Sequence, residues 1–276
     1  MIPSGGRPRP TAARPMRRAL ALALVAPLAA SAAPAELHGD LATDLAVTAT
    51  TAAAVVASEL AKPALAPERC RWCEPGPVDE AAREALVWRA PARARRASDV
   101  LAFGVLPAGV ALHQLLAARH AGDAGKGLED LLYVAQATAI SAGLTQVAKY
   151  SAGRQRPLAH YAEPGRAHDP DDDLSFFSGH SSVAFALATS AGTVSSLRGY
   201  PSAPWVWAGG LGVAAAIGWL RMAGDAHWLT DVLAGAAVGT AVGIAVPRLA
   251  HGREPAAAGA AQPASVPPLL GFAAAF

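Results

Sequence analysis

Of the 276 residues, 53% are hydrophobic and only 16% charged, against about 25% charged in an average soluble domain. That balance suits a chain that buries itself in a bilayer or around one large apolar core. The formal net charge is +2, and no basic stripe suited to nucleic acid is present, which argues against such a partner.

Arg14, Arg17 and Arg18 precede an apolar run from Ala19 to Ala30, and small residues follow through Ala33 and Ala35. Positive, apolar and small segments in that order read as an export signal over residues 1–35, or as an uncleaved first anchor. Met16, just ahead of the run, is an alternative start. Residues 36–97 form an N-terminal helix and a polar connector. The helix is an uncharged run at 45–58, short for a membrane span; the connector, 63–97, carries Pro and Arg. The two cysteines lie in it as Cys70-Arg-Trp-Cys73. With no βαβ context and no further ligands, they predict a local disulfide or two idle thiols, not a redox or zinc site.

Uncharged runs follow at 100–118, 131–148, 181–197, 199–220 and 232–247. No strand alternation of useful length occurs, so the chain reads as all-α. A spanning helix needs about 20 mostly apolar residues, with about 17 as the lower limit. Runs 100–118 and 199–220 meet that length, whereas 131–148 and 181–197 are marginal and dotted with Ser, Thr and Gln. Gly235, Gly239 and Gly243, spaced by four, permit close helix contact in a bilayer. The expectation is an antiparallel helical bundle over residues 98–248, embedded in a membrane, with an Ala/Pro-rich unstructured tail over 249–276.

Polar clusters sit at the ends of these runs. Lys149 and Arg156-Pro157 follow run 131–148, Ser178-Gly179-His180 precedes run 181–197, and Arg221, His227 and Asp231 bridge the last two. In an antiparallel bundle, run 131–148 ends on one face, 181–197 leaves it, 199–220 returns to it and 232–247 leaves it again. All of these residues therefore share one end. Singly, each has a plainer reading: Lys149 and Arg156 as interface anchors, Ser178 as an N-cap. Independent surface charges would not sort to one face.

Such a set supports phosphoryl transfer. Lys149, Arg156 and Arg221 would neutralise phosphate oxygens, the dominant need in that reaction. Ser178 and Gly179 offer backbone N–H groups and a helix start suited to an anion. Asp231 lies four positions after His227, so a helical turn lets the carboxylate fix the imidazole tautomer and free the other nitrogen to attack phosphorus. His180 would protonate the leaving oxygen and later activate water.

The three clusters resemble the signature of the type 2 phosphatidic acid phosphatase (PAP2) and vanadium haloperoxidase superfamily. That pattern is Lys, six residues, Arg-Pro; then Pro-Ser-Gly-His; then Ser-Arg, five residues, His, three residues, Asp. Lys149 to Pro157 fits throughout. Phe177 replaces the Pro and Leu220 the Ser, both flanking positions. The resemblance implies a helical bundle, phosphomonoesterase or diphosphatase activity needing no metal or other cofactor, and commonly a lipid phosphate substrate. If 45–58 spans, an N-terminus cleaved outside puts the catalytic face in the cytoplasm; if it does not, that face is extracytoplasmic, which agrees with the resemblance, since the family's bacterial membrane members usually work on the outer face. Seven arginines of the connector, Arg69, Arg71, Arg83, Arg89, Arg93, Arg95 and Arg96, lie on the catalytic side and pull the other way by the positive-inside tendency. His168-Asp-Pro-Asp-Asp-Asp173 predicts a solvated loop beside the site, not a metal loop. A soluble exported acid phosphatase, a vanadate-dependent haloperoxidase and a non-catalytic membrane bundle are the competing readings.

Overall fold

The computed structural model describes residues 37–252; the leader expected over 1–35 and nearly all of the tail expected over 249–276 lie outside them. Helix α1 (Leu41–Leu60) is capped by Asp40, whose carboxylate accepts the Thr43 N–H at 2.7 Å, satisfying a donor that the first turn leaves open. Short α2 (Lys62–Leu65) and α3 (Pro77–Leu86) make up much of the connector. Helix α4 (Pro91–Val100) runs through a single π turn, Leu101–Val105, into α5 (Leu106–His120). Then come α6 (Lys126–Ala152), α7 (Pro157–His160), α8 (Gly179–Leu197), α9 (Ala203–Ala223) and α10 (Leu229–Leu249). Among the described residues there is no β-strand, only an isolated bridge between Trp72 and Arg154. The all-α antiparallel bundle is thus as expected.

Among the described residues, five helical segments are long and apolar enough to cross a membrane: α1, the rod Pro91–His120, α6, α9 and α10. Here α1 departs from expectation. It is 20 residues long because Leu41 to Asp44 and Glu59 to Leu60 extend the uncharged run at both ends, so it does reach spanning length. Helix α6 also exceeds its apolar run, placing Lys126, Glu129, Asp130 and Lys149 in its terminal turns.

The Ser- and Thr-rich α8 falls outside this set because it is the centre of the bundle. From Ala186 to Ser195 every residue is buried, and its hydroxyls bond within the helix, Thr189 to Phe185 O and Thr193 to Thr189 O, both at 2.7 Å. It needs no lipid-facing stripe. The glycine stripe of α10 rests directly on it: a Cβ at Gly235 would come 2.6 Å from Ser178 O, and one at Gly243 would come 2.6 Å from Ala186 O. Only glycine permits that backbone approach. Hydrogen bonds fix the directions. Gln136 reaches Asp44 and Tyr150 reaches Ser58 O, so α1 and α6 run parallel. Gln114 of α5 bonds Ala191 O of α8 at the opposite end from the polar clusters.

Candidate active site

The chain reversals at one end build the site. Helix α6 ends at Gly153, whose left-handed φ of 55° turns the chain, a conformation glycine adopts at little cost. Arg156 then occupies the cap position of α7, and its backbone N–H donates to Asp172 O at 2.7 Å. Ser178 caps α8. Between α9 and α10, Asp225 takes φ 56°, and Arg83 grips both its carboxylate oxygens at 2.7 and 2.9 Å. That pair holds a turn which a non-glycine residue enters only with support.

The eight residues predicted from the sequence do come together. A Cβ at Gly179 would lie 3.7 Å from Lys149 Nζ, which puts the first motif against the second. The Ser178 N–H donates to Asp231 O at 3.0 Å, which joins the second to the third. Arg221 and His180 meet at a shared carboxylate, Asp99 Oδ1, 3.4 and 2.8 Å away. Leu220, at the position of the family's Ser, is buried beside Ala94 and Ala223, and Phe177 is buried too.

His227 is 3% exposed. Its Nδ1 lies 2.9 Å from the carbonyl oxygen of Ser175. A carbonyl only accepts, so Nδ1 carries the proton and Nε2 keeps its lone pair. Burial, together with Arg156, Arg221, Lys149 and His180, holds the imidazole pKa well below 6.5, so the ring is neutral at neutral pH. The expected direct carboxylate–imidazole bond is not formed. Asp231 Oδ2 stands 3.6 Å from Nδ1 and instead accepts the Ser175 hydroxyl at 2.5 Å and the Trp228 N–H at 2.9 Å. Asp231 is the third residue of α10, and its side chain reaches back to the first turn's open donors. Ser175 therefore mediates the pairing that the spacing of four suggested.

The loop 168–173 also departs from expectation. Asp172 and Asp173 are 3% and 2% exposed. Arg166 pairs bidentately with Asp172 at 2.8 and 2.9 Å, and Asp173 accepts from His168 at 3.1 Å. Asp171 bridges Lys62, at 2.9 Å, and Arg156, at 3.3 Å. Burial raises its proton affinity, but Arg156, Lys62 and Lys149 outweigh that and hold its pKa at about 2. The loop is tied down because Arg156 needs acceptors: its Nε donates to Asp171 O at 2.7 Å. Two carboxylates thus rest on the cations, Asp171 on Arg156 and Asp99 on Arg221, each partly exposed, at 41% and 50%.

Sequence reasoning missed Asp99, Asp171, Ser175, Arg154 and Lys62. Asp99 was within reach: it is the last charge before run 100–118, at the end that alternation assigns to the site. Lys62 and Ser175 carry no such signal, since only the folded loops bring them in.

The PAP2 superfamily model matches residues 130–255, which include all three clusters. Over those residues, somewhat less than half of the chain, the sequence is similar to the PAP2 superfamily. A lipid A 1-phosphatase of Porphyromonas gingivalis is 38% identical over 105 residues, covering 38% of this chain and 20% of that protein. The match therefore spans one-fifth of the relative's length. A crystal structure described as the first transmembrane PAP2 type phosphatidylglycerolphosphate phosphatase from Bacillus subtilis aligns with a TM-score of 0.45 and 19% identity, covering 75% of this chain and 93% of that one. The chain is a membrane protein.

Proposed function

We propose that the protein is a metal-independent phosphatase acting on a lipid phosphate or diphosphate through a phosphohistidine. The observation that carries this is a buried, neutral His227 with an unprotonated Nε2, close enough to Lys149, Arg156 and Arg221 that their charges depress its pKa. A nucleophile free of its proton and a ring of fixed positive charge are the two requirements of phosphoryl transfer. In the first step Nε2 forms a bond to phosphorus as the bond to the leaving oxygen breaks, and His180 gives that oxygen a proton. In the second, water attacks phosphorus, His180 takes its proton and the P–N bond breaks. Lys149, Arg156, Arg221 and the backbone at Ser178 and Gly179 hold the phosphate oxygens; Asp99 and Asp171 give way to the phosphate. Asp231 and the Ser175 carbonyl hold the imidazole.

The substrate classes that fit are isoprenyl diphosphate, phosphatidylglycerol phosphate, phosphatidic acid and lipid A. Membrane-spanning helices around the site favour these over the soluble substrates of an exported acid phosphatase. The test is phosphate release by detergent-purified protein from a panel of these lipids, with EDTA present. At least one lipid is expected to turn over at an undiminished rate in EDTA; loss of the rate in EDTA, restored by a divalent ion, overturns metal independence. In the same assay His180→Ala should lose more on alkyl phosphates than on an activated aryl phosphate. Equal losses on both count against a general acid.

We place the catalytic face outside the cytoplasm. Cys70 and Cys73 form a disulfide on the catalytic side, where the Arg71 N–H donates to Gly153 O at 2.8 Å, and disulfides persist in oxidising compartments. Of the seven connector arginines that point the other way, three are occupied by the fold: Arg71 on Tyr150 O, Arg83 on Asp225 and Arg95 on Gly224 O. If α1 crosses the membrane, this placement puts Asp40 in the cytoplasm, against the export leader expected over residues 1–35, and so requires that the N-terminus is not translocated. A fusion after Ala97 should be active with a periplasmic reporter; strong activity of a cytoplasmic reporter there reverses the assignment.

A further inference from the structure

Arg154 lies inside the first motif yet faces away from the cation ring. It is 1% exposed. One guanidinium nitrogen donates to Asp231 Oδ1 at 2.5 Å and to Thr230 Oγ1 at 2.8 Å; the other donates to Asp79 Oδ2 at 2.6 Å. Asp79 completes a closed set, accepting the Thr230 N–H at 2.9 Å and hydroxyl at 2.8 Å. The guanidinium plane rests on Trp72, 3.9 Å from the ring centroid. The backbone of Arg154 acts as well: its carbonyl accepts the Ser175 N–H at 2.9 Å, and Ser175 is the residue that holds His227 and bridges to Asp231.

We infer that Arg154, clamped by Asp79 and Trp72 of the connector, is the positioning residue for the His227–Ser175–Asp231 assembly. This rests on the phosphohistidine reading and deepens it. The guanidinium fixes one oxygen of Asp231, leaving the other to Ser175 and to the imidazolium side of the reaction. A planar fork that holds two carboxylates at once, one on each nitrogen, is what arginine supplies and lysine does not. The connector thereby acquires a role. The loop closed by Cys70 and Cys73 presents Trp72, and the first turn of α3 presents Asp79, so the segment 70–79 is the outer wall of the nucleophile.

Charge sets the expected signature. Arg154, Asp79 and Asp231 together carry one net negative charge beside an imidazole that otherwise faces Lys149 of α6, Arg156 at the start of α7, His180 of α8 and Arg221 of α9. Arg154→Gln makes that cluster more negative and His227 more basic; Asp79→Asn makes it neutral and His227 less basic. The acid limb of kcat/KM reports the free enzyme's essential base. It should move to higher pH in Arg154→Gln and to lower pH in Asp79→Asn, by about half a unit to one unit each.

The experiment measures pH profiles on a short-chain phosphatidic acid in detergent, and binding of inorganic phosphate as a shift in melting temperature. Both variants should lose kcat by about 10–100-fold, the scale of outer partners that orient an imidazole, while phosphate binding is kept because neither residue lines the cation ring. Arg154→Lys should keep the limb at its wild-type position with a partial loss of kcat. If Arg154→Gln does not fold, Asp79→Asn and Arg154→Lys carry the test. Unmoved limbs, limbs that move the same way, or loss of phosphate binding alongside kcat would assign the network to general structure and overturn the inference. Wild-type turnover by His227→Gln overturns the phosphohistidine reading instead, a separate outcome.

Discussion

Replacing His227 by glutamine is expected to abolish phosphate release, with a loss of about 10⁴–10⁶-fold, the scale seen when a covalent nucleophile is removed. The fold should survive. His227 sits on the turn between α9 and α10, and what it gives up is one hydrogen bond, from Nδ1 to Ser175 O, worth about 1 kcal/mol. Glutamine can donate that bond again while offering no nucleophile. The change should also alter acid stability. A buried histidine kept neutral opposes folding once the unfolded chain takes up a proton, so its contribution is lost as pH falls below about 6.5. The glutamine variant should therefore lose less stability between about pH 7 and pH 5 than the wild type does. Activity within a few-fold of wild type, measured on protein with an unchanged helical spectrum, would refute the nucleophile assignment.

Asp231→Asn is expected to cost less activity but more stability. Around the imidazole it removes a charge 3.6 Å from Nδ1, which stabilises the imidazolium side of phosphoryl transfer. Loss of the equivalent carboxylate beside a catalytic histidine costs about 10⁴-fold where Nδ1 bonds it directly. Here the Ser175 carbonyl keeps the tautomer, so a smaller loss, about 10²–10³-fold, is expected. Stability is another matter. Asp231 is wholly buried against Arg154, itself 1% exposed, and breaking a buried pair on one side costs about 3–5 kcal/mol. Asparagine keeps some of those hydrogen bonds, and Asp79 still faces the guanidinium, so the measured loss should fall towards the lower end. Kinetics and a melting curve on the same preparation check both halves. A loss as complete as that of the His227 variant would show that the carboxylate does more than orient.

The two residues differ in how far they could be read in advance. His227 and Asp231 are close in the chain, and a spacing of four on a helix start brings them to one side whatever the rest does. That much was legible, as were the all-α class and the convergence of Lys149, Arg156, Ser178, Gly179, His180 and Arg221. The convergence followed from alternation alone: an antiparallel bundle returns the chain to the same end after every second crossing. What was not legible is the contact between His227 and Asp231. A spacing of four permits a hydrogen bond, but the first turn of α10 has open N–H donors, and Trp228 N takes the oxygen that would have faced the ring.

The chain's own order of polar and apolar residues was enough to determine the apolar runs of the bundle, their alternating directions and the end at which the chemistry gathers, because run length is a local property; the helices of the connector and the full length of α1 were not legible in it. Tertiary structure alone decided the partners of those residues. Ser175 and Asp79 arrive from a loop and a helix start with no spacing rule linking them to the motifs. They were selected by what the folded site left unpaired: a buried guanidinium at Arg154, a carboxylate at Asp231 and an imidazole N–H at His227, each requiring a partner once water is excluded.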